Sequence, residues 1–164
     1  LIGYTNAGKS TILNKLTGAD VLCENRLFAT LDTTIRRLYL KDDVTVLLSD
    51  TVGFIKKLPS HLVASFKSTL EELKEADMLL HVIDTGHKNF EAHMLSVSDT
   101  LKELAIEHKP LLYVFNKTDT IIEKGLVENL KARYENSVFI SALSGDGLQS
   151  LKDRIFQYYS QKNF

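Results

Sequence analysis

Near the start of the chain Gly3-Tyr4-Thr5-Asn6-Ala7-Gly8-Lys9-Ser10 fits the pattern G-x-x-x-x-G-K-[ST]. In such a loop backbone N–H groups fold around a phosphate, while the following helix aims its positive end at it. Lys9 would reach the β- and γ-phosphates, and Ser10, followed by Thr11, would bind Mg²⁺. Asp50-Thr51-Val52-Gly53 begins 40 residues after Ser10. Its carboxylate is of the kind that reaches Mg²⁺ through a water, and its glycine N–H suits a γ-phosphate. Alone, D-x-x-G reads equally well as a turn, so its meaning rests on the phosphate loop. Asn116-Lys117-Thr118-Asp119 adds base selectivity. A carboxylate at Asp119 accepts from N1–H and the exocyclic amine of guanine, whereas adenine would leave it unpaired, at a cost of about 1–3 kcal/mol. Asn116 would brace that loop and the stem of Lys117 would lie along the base. Ser141-Ala142-Leu143 offers a backbone N–H, that of Ala142, to guanine O6, a reading that rests entirely on its position after the last strand.

The elements that must place these residues follow from period and punctuation. Leu1-Ile2 reads as the end of a strand and Thr11 to Leu16 as a helix. Ile35 to Leu40 and Val44 to Ser49 read as strands joined by Lys41-Asp42-Asp43, short enough for an antiparallel hairpin. Behind Pro59-Ser60, the residues Leu62, Val63, Phe66, Leu70 and Leu73 recur at helical spacing. Met78 to Ile83 and Leu111 to Phe115 are continuous apolar runs, as strands of a parallel sheet covered on both faces require. Met94, Val97, Leu101 and Leu104 mark a helix that Pro110 ends. Val138 to Ile140 form a last strand, before a helix carrying Leu148, Leu151, Ile155 and Tyr158 or Tyr159. The order β-α-β-β-α-β-α-β-α-β-α predicts an α/β, doubly wound, mostly parallel six-stranded sheet with one antiparallel strand. Its ligands belong at the carboxyl ends of the strands, where the motifs fall.

With 164 residues, 44% hydrophobic and 25% charged, the chain fits one globular domain, spanning residues 1–164. A net charge of −1 gives no electrostatic argument for nucleic acid. Cys23 is the only cysteine, so no internal disulfide forms, and a reducing, cytoplasmic compartment is expected. No apolar run approaches the ~18–20 residues of a membrane span. Only Leu1 and Ile2 precede Gly3, so the domain reads as truncated within its first strand. The five histidines, His61, His81, His87, His93 and His108, show no metal-like spacing. His81, inside an apolar strand, reads as a core residue, and His61 as a surface one.

In order along the chain, Gly3–Ser10, Phe28-Ala29-Thr30-Leu31-Asp32, Asp50-Thr51-Val52-Gly53-Phe54-Ile55, Leu58-Pro59, Asn116–Asp119 and Ser141-Ala142 resemble the motifs of HflX-type GTPases, of the Obg-like branch of P-loop GTPases. The resemblance covers essentially the whole chain and implies a GTP-binding domain. It assigns the Mg²⁺-binding threonine of the first switch, Arg26 to Thr34, to Thr30; spacing alone leaves Thr30, Thr33 and Thr34 open. Family members usually carry Pro before the later threonine, where this chain has Asp32-Thr33-Thr34. Lys9, Thr30 and Gly53 would then serve hydrolysis, with Ser10, Thr30 and, through a water, Asp50 at the metal. The resemblance further implies GTP and GDP as ligands, the large ribosomal subunit as partner and a cytoplasmic role; a monomer is expected. Arg36, Arg37, Lys56 and Lys57 are too few to argue ribosome binding by themselves. Phe54 stands where many GTPases place a water-orienting Gln, so slow turnover is expected of the isolated domain. Asn6 occupies the place where several GTPases lacking that Gln use an Asn oxygen to hold K⁺, although Asn suits a turn there at least as well. A non-hydrolysing guanine-nucleotide-binding module is the alternative, and Asp119 argues against an ATPase.

Overall fold

The computed structural model of the chain describes residues 1–18, 33–51, 53 and 73–162. Along them run β1 (Ile2–Gly3), α1 (Lys9–Thr17), β2 (Thr34–Tyr39), β3 (Thr45–Asp50), β4 (Leu79–Asp84), α2 (Phe90–Glu103), β5 (Leu111–Asn116), α3 (Leu126–Arg133), β6 (Ser137–Phe139) and α4 (Leu148–Lys162). The helix expected around Leu62, Val63, Phe66 and Leu70 lies outside the described residues, as does Cys23. Leu73, the last of its apolar positions, is buried beside Ile2, Leu79 and Val97.

Four strands make a parallel sheet in the order β1-β4-β5-β6, as the continuous apolar runs of β4 and β5 require. Alternate residues of each strand serve opposite faces. Leu80, Val82, Leu112 and Val114 pack with Ile12, Leu13 and Leu16 of α1 and Leu151 and Ile155 of α4. On the other face Leu79 meets Val97 and Leu101 of α2. Ile83 and Phe115 meet Met94 and, from α3, Leu130. Helices on both faces give the doubly wound arrangement.

The α/β, mostly parallel class holds, but the expected six-stranded sheet is divided. β2 and β3 form a separate antiparallel pair. Leu1 is the joint between the two sheets: its backbone nitrogen donates to Ser49 O, and Thr51 Oγ1 donates to Leu1 O at 2.8 Å. The hairpin turn is tight, with Asp42 and Asp43 both at φ 56, a left-handed pair that matches the twist of the flanking strands. Leu38, Val46 and Leu48 reach the core, whereas Ile35, Tyr39 and Leu47 are exposed on the outer face.

Candidate functional site

The loop from Gly3 to Ser10 connects β1 to α1 at the carboxyl edge of the sheet. Gly8 begins the helix at φ 101, and a Cβ there would fall 2.3 Å from Asn116 Nδ2, so both conformation and space demand glycine. The first turn of α1 contains no acidic residue, which leaves its amide dipoles for an anion. Lys9 folds back over the loop and donates to Gly3 O and Tyr4 O, each at 3.4 Å. These contacts are long, and the side chain is only 6% exposed. Burial strips water from the ammonium and lowers its pKa from 10.5 to about 8, a change the nearby Asp50 carboxylate partly offsets.

Ser10 Oγ donates to Asp50 Oδ2 at 2.5 Å, joining the loop to the end of β3. Asp50 is fully buried. One hydroxyl and one carboxylate form the hard-oxygen set that Mg²⁺ accepts when phosphates and water complete its shell. Among the described residues no group of three or more His, Cys, Asp or Glu could hold a metal without such help. Gly53 presses against the loop: a Cβ there would lie 2.6 Å from Thr5 Cα. The D-x-x-G segment and the phosphate loop are therefore in contact through backbone.

Asn116 ends β5 and is 2% exposed. Its Nδ2 donates to Ala7 O at 2.9 Å, while its Oδ1 accepts from Ala142 N–H at 3.0 Å. A single amide thus binds the phosphate loop to the Ser141-Ala142-Leu143 turn. Ala142 N–H thus meets the Asn116 side chain, in the turn expected to face guanine O6. The turn is fixed by Ser141 N–H donating to Asp146 O at 3.0 Å and Gly145 N–H donating to Ser141 O at 2.8 Å. Asp119, in the one-turn helix Thr118–Thr120, is exposed at the same edge.

The structure thus brings together Gly3, Tyr4, Thr5, Asn6, Ala7, Gly8, Lys9, Ser10, Asp50, Gly53, Asn116, Lys117 and the turn at Ser141 and Ala142. Phe28, Ala29, Thr30, Leu31, Asp32, Val52 and Phe54 lie outside the described residues. His81 is buried beside Tyr113, their rings 5.8 Å apart, as its place in an apolar strand suggests. Burial, with Lys9 adding a repulsive charge, lowers its pKa from 6.5 to about 4.

Sequence reasoning missed two contacts. Tyr4 stacks on His93 of α2 at 3.8 Å with an interplanar angle of 2°, clamping the start of the phosphate loop. Asp84, the last residue of β4, accepts from Lys117 Nζ at 2.6 Å. The available signal for the second was an acid closing an apolar strand at the edge where the motifs gather.

The model of a family described as 50S ribosome-binding GTPase matches residues 1–117. GTPase HflX of Magnetococcus marinus is 50% identical over 151 residues, covering 92% of this chain and 35% of the relative. GTPase HflX of Alkalihalophilus pseudofirmus is 50% identical over 157 residues, covering 96% of this chain and 36% of the relative. The chain therefore spans about a third of the length of these curated relatives. Among solved structures, a GTP-binding protein from Sulfolobus solfataricus in complex with GDP superposes with a TM-score of 0.78 at 31% identity, over 98% of this chain and 51% of that one. Era in complex with MgGDPNP and nucleotides 1506-1542 of 16S ribosomal RNA gives a TM-score of 0.78 at 26% identity, over 96% of this chain and 54% of that one.

Proposed function

Since the chain belongs to the 50S ribosome-binding GTPase family, we propose that it binds GTP with Mg²⁺, hydrolyses it to GDP and phosphate, and serves as a regulatory switch for the large ribosomal subunit. The observation that carries this reading is the buried Asn116 amide, which fastens the phosphate loop and the 141–143 turn to the loop bearing Asp119. Three motifs far apart in sequence then enclose one ligand with phosphates at one end and a guanine edge at the other. Lys9 exchanges its long bonds to loop carbonyls for shorter ones to β- and γ-phosphate oxygens. Ser10 and Asp50 would hold Mg²⁺, which neutralises charge developing on the transferred phosphoryl group. Gly53 N–H would bind the γ-phosphate and Asp119 would read the guanine N1–H and amine, with Thr30, outside the described residues, as the further metal ligand that the family resemblance implies.

Two features extend the reading. Asn6 is exposed in the loop at φ 62, and its side-chain oxygen is proposed as a K⁺ ligand; equal hydrolysis rates in K⁺ and Na⁺ would remove that role. No helix among the described residues is long and apolar enough to cross a membrane. The family description and the likeness to Era, solved with ribosomal RNA, support a cytoplasmic protein that engages ribosomes, and we propose that it acts as a monomer.

The deciding experiment pairs binding with turnover. GTP and GDP are expected to bind far more tightly than ATP, and Asp119→Asn to shift preference toward xanthine nucleotides; equal affinity for ATP and GTP by calorimetry refutes the guanine assignment. Single-turnover phosphate release by the full-length protein, with and without purified large subunits, then separates a GTPase from a module that only binds.

A further inference from the structure

Asp84 and Asn116 are directly opposite each other across the β4–β5 ladder, so β4 ends level with the loop that bears Lys117. Both oxygens of the Asp84 carboxylate are engaged. Oδ2 accepts from Lys117 Nζ at 2.6 Å, and Oδ1 accepts from Gly86 N–H at 3.2 Å. The same Lys117 ammonium donates to Asn6 O, in the phosphate loop, at 2.9 Å. Thr85 N–H donates to Asn116 O at 3.0 Å, and Thr120 Oγ1 donates to Lys117 O at 2.7 Å, so the backbone on both sides of the pair is tied down. The pair is mostly shielded from water, at 30% exposure for Lys117 and 21% for Asp84. Lys117 itself sits at φ 62, a conformation a lysine adopts only under such constraint.

We propose that Asp84 is a positioning residue for nucleotide binding: it holds Lys117 in the geometry that joins the guanine-reading loop to the phosphate loop, and Lys117 in turn neutralises a carboxylate that would otherwise repel the phosphates. The inference rests on the guanine-nucleotide reading of the site. Three features distinguish it from a simple turn. The contact is charge-assisted and short. It reaches a residue 33 positions away in sequence. And its lysine spans two motifs that bind different ends of one ligand.

The charge logic gives a sign that a purely structural role would not. Removing Lys117 leaves a shielded carboxylate beside the phosphate loop without its counter-charge, and a stranded charge costs more than loss of the whole pair. Asp84→Asn keeps the acceptor for Gly86 N–H while removing the charge.

The test measures GDP affinity, with a fluorescent GDP analogue and by calorimetry, for this chain and for Asp84→Asn, Lys117→Met and the double variant. Asp84→Asn is expected to bind about tenfold more weakly, equivalent to about 1.4 kcal/mol. Its nucleotide-free melting temperature should stay within about 2 °C of the parent. Lys117→Met should bind about a hundredfold more weakly. Adding Asp84→Asn to Lys117→Met should recover about three- to tenfold of that loss, the signature of coupled residues. Multiplicative losses in the double variant, or a loss in Asp84→Asn that merely tracks a fall in melting temperature, overturn the positioning role while leaving guanine-nucleotide binding intact. Failure of the unmutated chain to bind GDP at all overturns the underlying reading as well. Should the double variant not fold, Asp84→Glu with Lys117→Arg, which preserves both charges, must retain more affinity than either single change, and a shortfall counts against the pair.

Discussion

Affinity for GDP should fall as pH rises through the region where most proteins' lysines are still fully charged. Lys9 is 6% exposed, and its pKa is lowered to about 8 from 10.5, chiefly by loss of water around the ammonium. Keeping that charge in the buried loop costs on the order of 3 kcal/mol, since each tenfold loss of proton affinity is worth about 1.4 kcal/mol. A bound diphosphate supplies a counter-charge and returns the ammonium toward its ordinary range. Binding above pH 8 therefore takes up a proton, and the dissociation constant should rise about tenfold between pH 7 and pH 9. Calorimetry at pH 8.5 in buffers of differing ionisation enthalpy should report uptake of about three-quarters of a proton, below the pH at which guanine N1 itself ionises. Lys9→Met should bind weakly and take up none. The sign for stability is the opposite. Between about pH 8 and 10.5 the unfolded chain holds a proton that the folded one has released, so the nucleotide-free protein gains stability as pH rises through that window. Unchanged affinity between pH 7 and 9, with no proton uptake, would show that Lys9 is not the desolvated cation that meets the phosphates.

Gly53→Ala would place a methyl group 2.6 Å from Thr5 Cα, so backbone must move; GTP affinity should drop at least tenfold, with stability reduced by about 1–3 kcal/mol in urea titrations. His81 has its pKa lowered from 6.5 to about 4, so between those values the unfolded chain accepts a proton that the folded one refuses, and stability falls with falling pH by up to about 1.4 kcal/mol for each step of one in pH. His81→Gln should flatten that acid limb, which denaturation midpoints at pH 4.5 and 7.5 would reveal. Glu91→Ala breaks an exposed ion pair with Arg133 and should change stability by no more than about 0.5 kcal/mol.

What the sequence made legible was whatever depends on fixed local spacing. Gly8-Lys9-Ser10 declares a loop feeding a helix because each residue acts within one turn of its neighbours, and the apolar runs at Leu79–Asp84 and Leu111–Asn116 declare buried parallel strands. Element ends moved by a residue, as with β2 at Thr34–Tyr39, where pairing to β3 rather than side-chain type decides the boundary. Contacts between distant segments stayed hidden. Asp84 looks like any acid at a strand end, and nothing in its neighbours says that Lys117 is the base it meets. The Tyr4–His93 stack joins a loop to a helix 89 residues away. Ala142 N–H donates to Asn116, 26 residues away, a pairing that no local pattern announces.

The antiparallel hairpin has a mechanical meaning. Thr34 and Asp50 are opposite one another at its open end, and Tyr39 faces Thr45 at the turn. A twisted two-stranded ribbon of that length resists shear along its own axis, because sliding by one residue would turn Leu38, Val46 and Leu48 out of the core. Two hydrogen bonds through Leu1 tie it to the parallel sheet. Leu38, Val46 and Leu48 also seat the ribbon against α1, so any movement of its open end must carry that apolar face with it.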